Sequence, residues 1–373
     1  MPNDAFDPLA DRRGNGLPEV DLFLWGTVFL DIIFSGLARM PASGTEEWAE
    51  GMASCPGGIA NLAIAARRLG LRTSLAAAFS DDDYGDFCWR TLAEQEHVDL
   101  ARSRRFPDWH TPVTVSLAVD RDRSMVTHGH EAPLPASQMI GRPPRSRAVM
   151  VELSHSGPIS DADEPTWVDL ARQDGALVFA DVGWDPTETW STAVLDQLEH
   201  CYAFMPNAVE AMAYTRTSTA QDAVYALADR VPLAIVTNGP HGALAIDGTT
   251  GEEAQVPALR VAELDPTGAG DVFGAALVLG TLGGWPLTDR LSFAALCSGL
   301  ALQQFGGSLA APGWGDLADW HAGLRSCPAE DSYTHSLRRR YGFLGDLVRD
   351  VPDQACRRAT ATIARRADVP GLD

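Results

Sequence analysis

Apolar and polar positions follow two different rhythms along this chain. The run Asp21-Leu-Phe-Leu-Trp-Gly26 predicts a buried strand within an apolar stretch from Val20 to Phe34. Ile32 to Trp48 then reads as an excursion away from the core, broken by Pro41 and Gly44. Ile59 to Leu69 has helical spacing with small residues on one face, and Gly70 stops it. Ser74 to Phe79 predicts a strand, Asp81 to Gly85 a turn, and Tyr84 to His97 a helix. Pro112–Val119 and Ser124–His128 alternate as strands around Asp120-Arg121-Asp122-Arg123. This hairpin and the excursion predict a small sheet, a lid drawn from about residues 32–50 and 108–130.

From about Ala148 the pattern alternates strand and helix. Val149–Leu153, Leu177–Asp181, Ala203–Pro206 and Leu233–Thr237 read as strands. Pro165–Gln173, Thr189–Leu198, Ala208–Tyr214 and Ala220–Asp229 read as helices between them. Such alternation predicts an α/β fold with a mostly parallel sheet covered on both faces. Ala243–Ile246 and Ala254–Val261 read as later, antiparallel strands, and long helices fill Asp271–Leu282 and Leu287–Phe305. The expected division is a polar arm (1–19), a main domain (20–327) and an appended helical element (328–373) rich in arginine.

Composition narrows the chemistry. A chain of 373 residues with 45% hydrophobic content can bury one large core. A net charge of −21 argues against a nucleic-acid partner. No apolar run reaches the roughly 20 residues of a membrane span, and the start lacks a secretory pattern, so cytoplasm is the expected compartment. The six cysteines form no CxxC pair or disulfide framework. Lysine is absent throughout, which excludes a P-loop, a protein-kinase strand lysine and Schiff-base chemistry.

The most informative stretch is Asp265-Pro-Thr-Gly-Ala-Gly-Asp271, which runs straight into Val272-Phe-Gly-Ala-Ala-Leu277. Small residues before an apolar helix let main-chain N–H groups of Gly268, Ala269 and Gly270 converge on one spot at the positive end of the helix dipole. A carboxylate beside such an anion hole suits proton abstraction from a hydroxyl during phosphoryl transfer. The plainer alternative is a strand-to-helix turn with Asp271 near an N-cap. Other polar residues fall where α/β sheets bind ligands: Asp31 after the first strand, Asn61 in the glycine-opened helix, and Glu152, Asp181, Asn207, Thr237 and Asn238 at or after the carboxyl ends of predicted strands.

Over roughly residues 20 to 325 the chain resembles the ribokinase-like (PfkB-type) carbohydrate kinases. Gly26-Thr-Val-Phe-Leu-Asp31, Gly57-Gly58-Ile-Ala-Asn61 with Leu69-Gly70, Asp82-Asp83-Tyr84-Gly85, Asn207-Ala-Val-Glu210, Val236-Thr237-Asn238-Gly239-Pro-His-Gly242 and Asp265–Asp271 match in the family's order. The resemblance implies a three-layer α/β/α sandwich with a β lid, and ATP-dependent phosphorylation of a sugar hydroxyl with Mg²⁺. It implies Asp271 as general base and the backbone of 268–271 as anion hole. Asp31, Gly57, Gly58, Asn61 and Glu152 would meet the sugar. Asn207, Glu210, Thr237, Asn238, Gly239, Gly242, Ser298 and Gly306 would meet the nucleotide, with Ala295 near the adenine. Glu210 would reach the metal through water. Asp265 would either contact a monovalent cation such as K⁺ or only order its loop. An exposed lid face makes a homodimer the expected assembly.

Two departures stand out. One residue fewer separates the glycine pair from Asn61, and Asp181-Val-Gly-Trp184-Asp185 replaces the common Asp-x-Asn-x-Arg pattern, removing an arginine. His128-Gly-His130 offers two metal ligands without partners and is expected to end the lid hairpin. A nucleoside kinase of the same fold is the main alternative, with Trp48, Phe106 and Trp109 as an apolar slot. A catalytically silent sugar-binding protein is the other.

Overall fold

The computed structural model describes residues 6–14, 16, 18, 20–119, 122–153, 159–161, 163–185, 187–304, 306–328, 331–358 and 365–367. The start of the predicted arm, Asp120 and Arg121 of the hairpin turn, Phe305, and residues 359–364 and 368–373 of the C-terminal element lie outside the described residues.

In chain order the strands are β1 (Val20–Trp25), β2 (Val28–Ser35), β3 (Gly51–Gly58), β4 (Thr73–Ala76), β5 (Ala78–Ser80), β6 (Arg104–Phe106), β7 (Val113–Val119), β8 (Asp122–His128), β9 (Ser146–Leu153), β10 (Leu177–Val182), β11 (Ala203–Phe204), β12 (Leu233–Thr237), β13 (Ala243–Asp247), β14 (Glu252–Val256) and β15 (Arg365–Ala367). The helices are α1 (Ile59–Arg68), α2 (Asp83–Arg90), α3 (Ala136–Ile140), α4 (Trp167–Gln173), α5 (Ala193–Asp196), α6 (Ala208–Thr215), α7 (Ala220–Ala228), α8 (Ala269–Leu282), α9 (Leu287–Ala301), α10 (Trp314–Ser326), α11 (Ser332–Arg340) and α12 (Leu344–Leu347).

The main sheet runs β14-β13-β12-β11-β10-β9-β1-β4. β4, β1, β9, β10, β11 and β12 are parallel neighbours, and β13 and β14 add an antiparallel edge. The parallel strands are apolar along their length because helices cover both faces; Leu233, Ala234, Ile235 and Val236 of β12 are all buried. Separate apolar clusters line the two faces. α8 is buried nearly all round, which fits a helix wedged between others rather than one with a solvent face. From β1 the chain steps to β4 on one side and later to β9 on the other. Connections diverge there, and a crevice opens at the carboxyl ends of the strands.

A second sheet, β15-β3-β2-β7-β8, forms the lid. Its bounds correct the expected ones. β2 begins at Val28, so Asp31 lies in mid-strand rather than after the first strand. β3 covers Gly51–Gly58 where no strand was expected. Its sequence, GMASCPGG, has almost no strand propensity; pairing with β2 from Val28↔Gly58 to Ser35↔Gly51 supplies the order. Residues 36–50 carry no strand.

Other elements also shift. Ser74–Phe79 breaks at Ala77, so β4 joins the main sheet while β5 pairs with β6. The helix expected over Thr189–Leu198 shortens to α5, because residues 187–190 wrap the Asp185 carboxylate. The C-terminal element is not merely appended or wholly helical. Leu337, Tyr341 and Leu344 sit in the main core, and β15 pairs with β3. All six cysteines are unbridged. No described helix is long and apolar enough to cross a membrane.

Candidate active site

The crevice is a cavity of about 550 Å³. Trp25, Gly26 and Thr27 enter it from the end of β1, Met150, Val151 and Glu152 from β9, and Asp181, Val182 and Gly183 from β10. Asn207 and Glu210 come from the start of α6, and Thr237 from the end of β12. Phe29 and Gly58 cover it from the lid, and Asn61, Gly270 and Asp271 close it from the starts of α1 and α8. These residues span nearly 250 positions, and only the parallel topology brings them to one edge.

A second cavity of about 750 Å³ adjoins the first. Gly239, Gly242, Leu259, Arg260, Val261, Ala295 and Ser298 are among its lining. Thr237, Gly270 and Phe273 line both. The two spaces therefore meet at the first turn of α8, beside Asp271.

Gly268 caps α8 at φ 77°, ψ −1°, and Val272 N–H donates to its carbonyl at 3.0 Å, the first helical bond. The N–H groups of Gly270 and Asp271 fall in that first turn, at the positive end of the helix dipole. Ala269 differs: its N–H donates to Pro266 O at 3.2 Å and so closes the turn. Asp265 is buried and staples the loop, accepting from Thr267 N–H at 2.9 Å and Gly306 N–H at 3.2 Å.

Asn61 presses against this loop; a Cβ on Gly268 would stand 3.5 Å from Asn61 Cγ. Asn61 is only 7% exposed, and its Oδ1 accepts no hydrogen bond from a described residue. The shortened glycine motif works because Gly58 takes φ 60°, ψ −133° and starts α1 at the next residue. Asp31 and Gly57 do not line the cavity. The Asp31 carboxylate lies over Gly57, where a Cβ would come within 1.9 Å of Oδ2. Opposite Asp31, the buried Cys55 thiol is pushed up to about 12, chiefly by burial and then by Asp31.

Asn207 and Glu210 form a reciprocal cap on α6. Glu210 N–H donates to Asn207 Oδ1 at 3.0 Å, and Asn207 N–H to Glu210 Oε2 at 2.9 Å. Glu210 is buried rather than an exposed helix charge, and burial raises its carboxyl. Glu152 and Asp181 face each other on adjacent strands. Burial raises the Glu152 carboxyl. Burial lifts Asp181 well above its ordinary value, with Glu210, Asp271 and Glu152 adding repulsion.

Asn238 lines neither cavity; its N–H donates to Gly242 O at 2.7 Å and shapes the turn. Gly306 lies behind the loop on Asp265. Trp48 is 85% exposed on the lid exterior, and Trp109 bonds Glu131 O. The aromatic residues in the cleft are Trp25, Phe29 and Phe273 instead. Their signal was lost because Trp25 and Phe29 read as core strand positions. His128 and His130 stand near His110, but no metal cage of His, Cys, Asp or Glu forms among the described residues.

A doubly wound α/β domain with a small β lid, two cavities and a carboxylate at their junction defines a small-molecule-binding class. The comparisons make it particular. The family model for pfkB family carbohydrate kinases matches residues 31–313, and the chain belongs to that family. It is 28% identical to aminoimidazole riboside kinase of Salmonella typhimurium over 274 residues, covering 69% of this chain and 85% of that protein. It is 24% identical to ribokinase of Lactococcus lactis, covering 75% and 90%. The solved structure of Arabidopsis thaliana ribokinase complexed with ribose and ATP superposes with TM-score 0.63 at 21% identity, covering 80% and 96%.

Proposed function

We propose that this chain transfers the γ-phosphoryl group of ATP to a hydroxyl of a small carbohydrate. The observation that carries the reading is the meeting of the two cavities at Thr237, Gly270 and Phe273, with Asp271 lining the first of them beside Gly270. The acceptor occupies the cavity holding Asn61, Glu152 and Asp181, and the nucleotide occupies the cavity holding Gly239, Gly242, Ala295 and Ser298. Asp271 takes the proton of the acceptor hydroxyl as its oxygen bonds to the γ-phosphorus. The bond to the β-bridging oxygen breaks, and ADP leaves with the electron pair. The Gly270 and Asp271 N–H groups and the helix dipole hold the developing charge, a contribution of the order of 10²–10³ in rate. In this conformation Ala269 N–H is committed to its turn, so it contributes less than its neighbours.

Magnesium fits the donor set as a hydrated ion. No inner-sphere cage exists among the described residues, and Mg²⁺ keeps several of its waters. Asn207 and Glu210 would hold that shell. When bound, the ion neutralises phosphate charge. Asp265 already accepts two backbone N–H bonds, so its role in this reading is loop ordering rather than a K⁺ site. The reading includes a homodimer through the lid, whose outer strand β8 exposes Met125 and Val126.

Trp25, Phe29, Met150 and Met205 give the acceptor cavity an apolar wall, which favours a nucleoside as the second reading. ATP consumption on matched free sugars and nucleosides separates the two. Absence of turnover on both groups, equal in parent and Asp271→Asn, would sink the kinase reading.

A further inference from the structure

The acceptor cavity has an unusual polar inventory. Four carboxylates line it: Glu152, Asp181, Glu210 and Asp271. No Arg, Lys or His side chain lines it among the described residues, and the chain contains no lysine at all. The position where an arginine was expected holds Asp185, which is turned into its own loop by Thr187 and Trp190.

The pair Glu152 and Asp181 differs from the α6 cap in lacking a reciprocal side-chain partner among the described residues. The two are register partners on β9 and β10, so their side chains leave the sheet edge side by side. Among the described residues, Asp181 accepts from its neighbour Val182 N–H alone, at 2.8 Å. Glu152 rests over Gly183, where a Cβ would meet Oε1 at 2.6 Å, so glycine keeps that space open. A second, independent signal comes from Asn61. It is more than nine-tenths buried in the same cavity wall, and its Oδ1 finds no donor among the described residues. A buried acceptor without a donor marks a place where a ligand supplies one.

Resting on the kinase reading above, we infer that the acceptor is a carbohydrate bearing an amino group, bound as its ammonium by the Glu152 carboxylate with the Asp181 carboxyl accepting beside it, while Asn61 Oδ1 accepts from a hydroxyl. The same cavity rejects acceptors that already carry a phosphate or carboxylate. The carboxylates of this cavity repel such a group, and no side-chain cation lines it among the described residues to offset the repulsion. A charge-assisted hydrogen bond is roughly twice as strong as a neutral one, which corresponds to about a tenfold preference for amine over hydroxyl.

The test uses matched pairs at pH 7: D-glucosamine against D-glucose, and 1-amino-1-deoxy-D-fructose against D-fructose. D-gluconate and fructose 6-phosphate are the anionic arm. Binding is read by calorimetry on the ATP-free protein, and turnover by ADP release with saturating MgATP. The amine should lead its hydroxyl partner about tenfold in at least one pair. That ratio should fall toward one in Glu152→Gln, while the neutral partner's affinity changes less. No amine preference in either pair, a ratio that survives Glu152→Gln, or an anionic acceptor used as well as the neutral ones overturns the inference. Amine-selective binding without ADP release in either pair or either arm keeps the inference and overturns the kinase reading. ADP release without amine preference does the reverse.

Discussion

The two cavities that meet at the start of α8 are built from opposite materials. The proposed acceptor side gathers four carboxylates and two amides, from two strand ends and the starts of three helices. The nucleotide side is mostly small and apolar: Pro240, Ala258, Leu259, Val261, Pro266, Ala295 and Leu302, with Arg260 and Glu263 as its charged members. In the proposed reading the first side would select by charge and hydrogen bonding, and the second by shape. They touch only through Thr237, Gly270 and Phe273. Where charge selects, a substitution should alter pH dependence and acceptor choice. Where shape selects, it should alter nucleotide affinity alone.

The largest effect expected at the junction is that of Asp271→Asn. Loss of a general base lowers kcat by about 10³-fold. The melting temperature and ATP affinity should stay near parental values, measured by thermal unfolding and calorimetry. A variant that keeps parental kcat would show that the junction carries no proton transfer.

Filling the apolar side comes next. Ala295 is buried in that cavity wall, so Ala295→Phe should raise KM for ATP about tenfold and leave the acceptor KM unchanged. Equal shifts in both KM values would mean that the two spaces are not separate subsites.

A smaller and opposite-signed effect concerns stability. The Asp181 carboxyl is held well above its ordinary value of 3.8 by burial and by repulsion from Glu210, Asp271 and Glu152. Between the unfolded and folded pKa the native state keeps a proton that the unfolded chain has released. Stability is therefore intact below 3.8 and declines as pH rises through the folded pKa. Asp181→Asn removes the decline. At pH 7 the ligand-free variant should melt a few degrees higher than the parent, with the gap closing toward pH 4. A variant that melts lower at pH 7 would refute the electrostatic picture.

The smallest effect belongs to the rim of the apolar side. Arg260 lies 4.6 Å over the Tyr333 ring, and its N–H donates to Tyr333 Oη at 2.8 Å. Arg260→Ala removes only the cation–π part, of the order of 0.5–1 kcal/mol. A change in ATP KM of at most about two- to fivefold is expected from steady-state kinetics. A tenfold change would place Arg260 on the nucleotide itself.

Legibility in the sequence followed the physics of each element. β12 was read to its ends because Leu233–Thr237 is buried on both faces and needs no partner to declare itself. α6 and α7 were found within a residue because Asn207 and Thr219 cap them with their own side chains. β3 was invisible because its order comes from β2, and Asp31 was accordingly assigned to a strand end. Trp25 and Phe29 were missed as cleft residues because a strand that leaves the core for a lid keeps the same apolar rhythm.

By itself the sequence determined what is local: the parallel alternation, the helix caps, the glycine-rich start of α8 with its carboxylate, and the absence of lysine chemistry. Tertiary structure alone decided which carboxylates share one cavity. Proximity across nearly 250 positions depends on strand order and register, and neither is encoded within any single window of the chain. That convergence is also what raises Asp181, since both burial and repulsion from three distant carboxylates exist only once the sheet has closed.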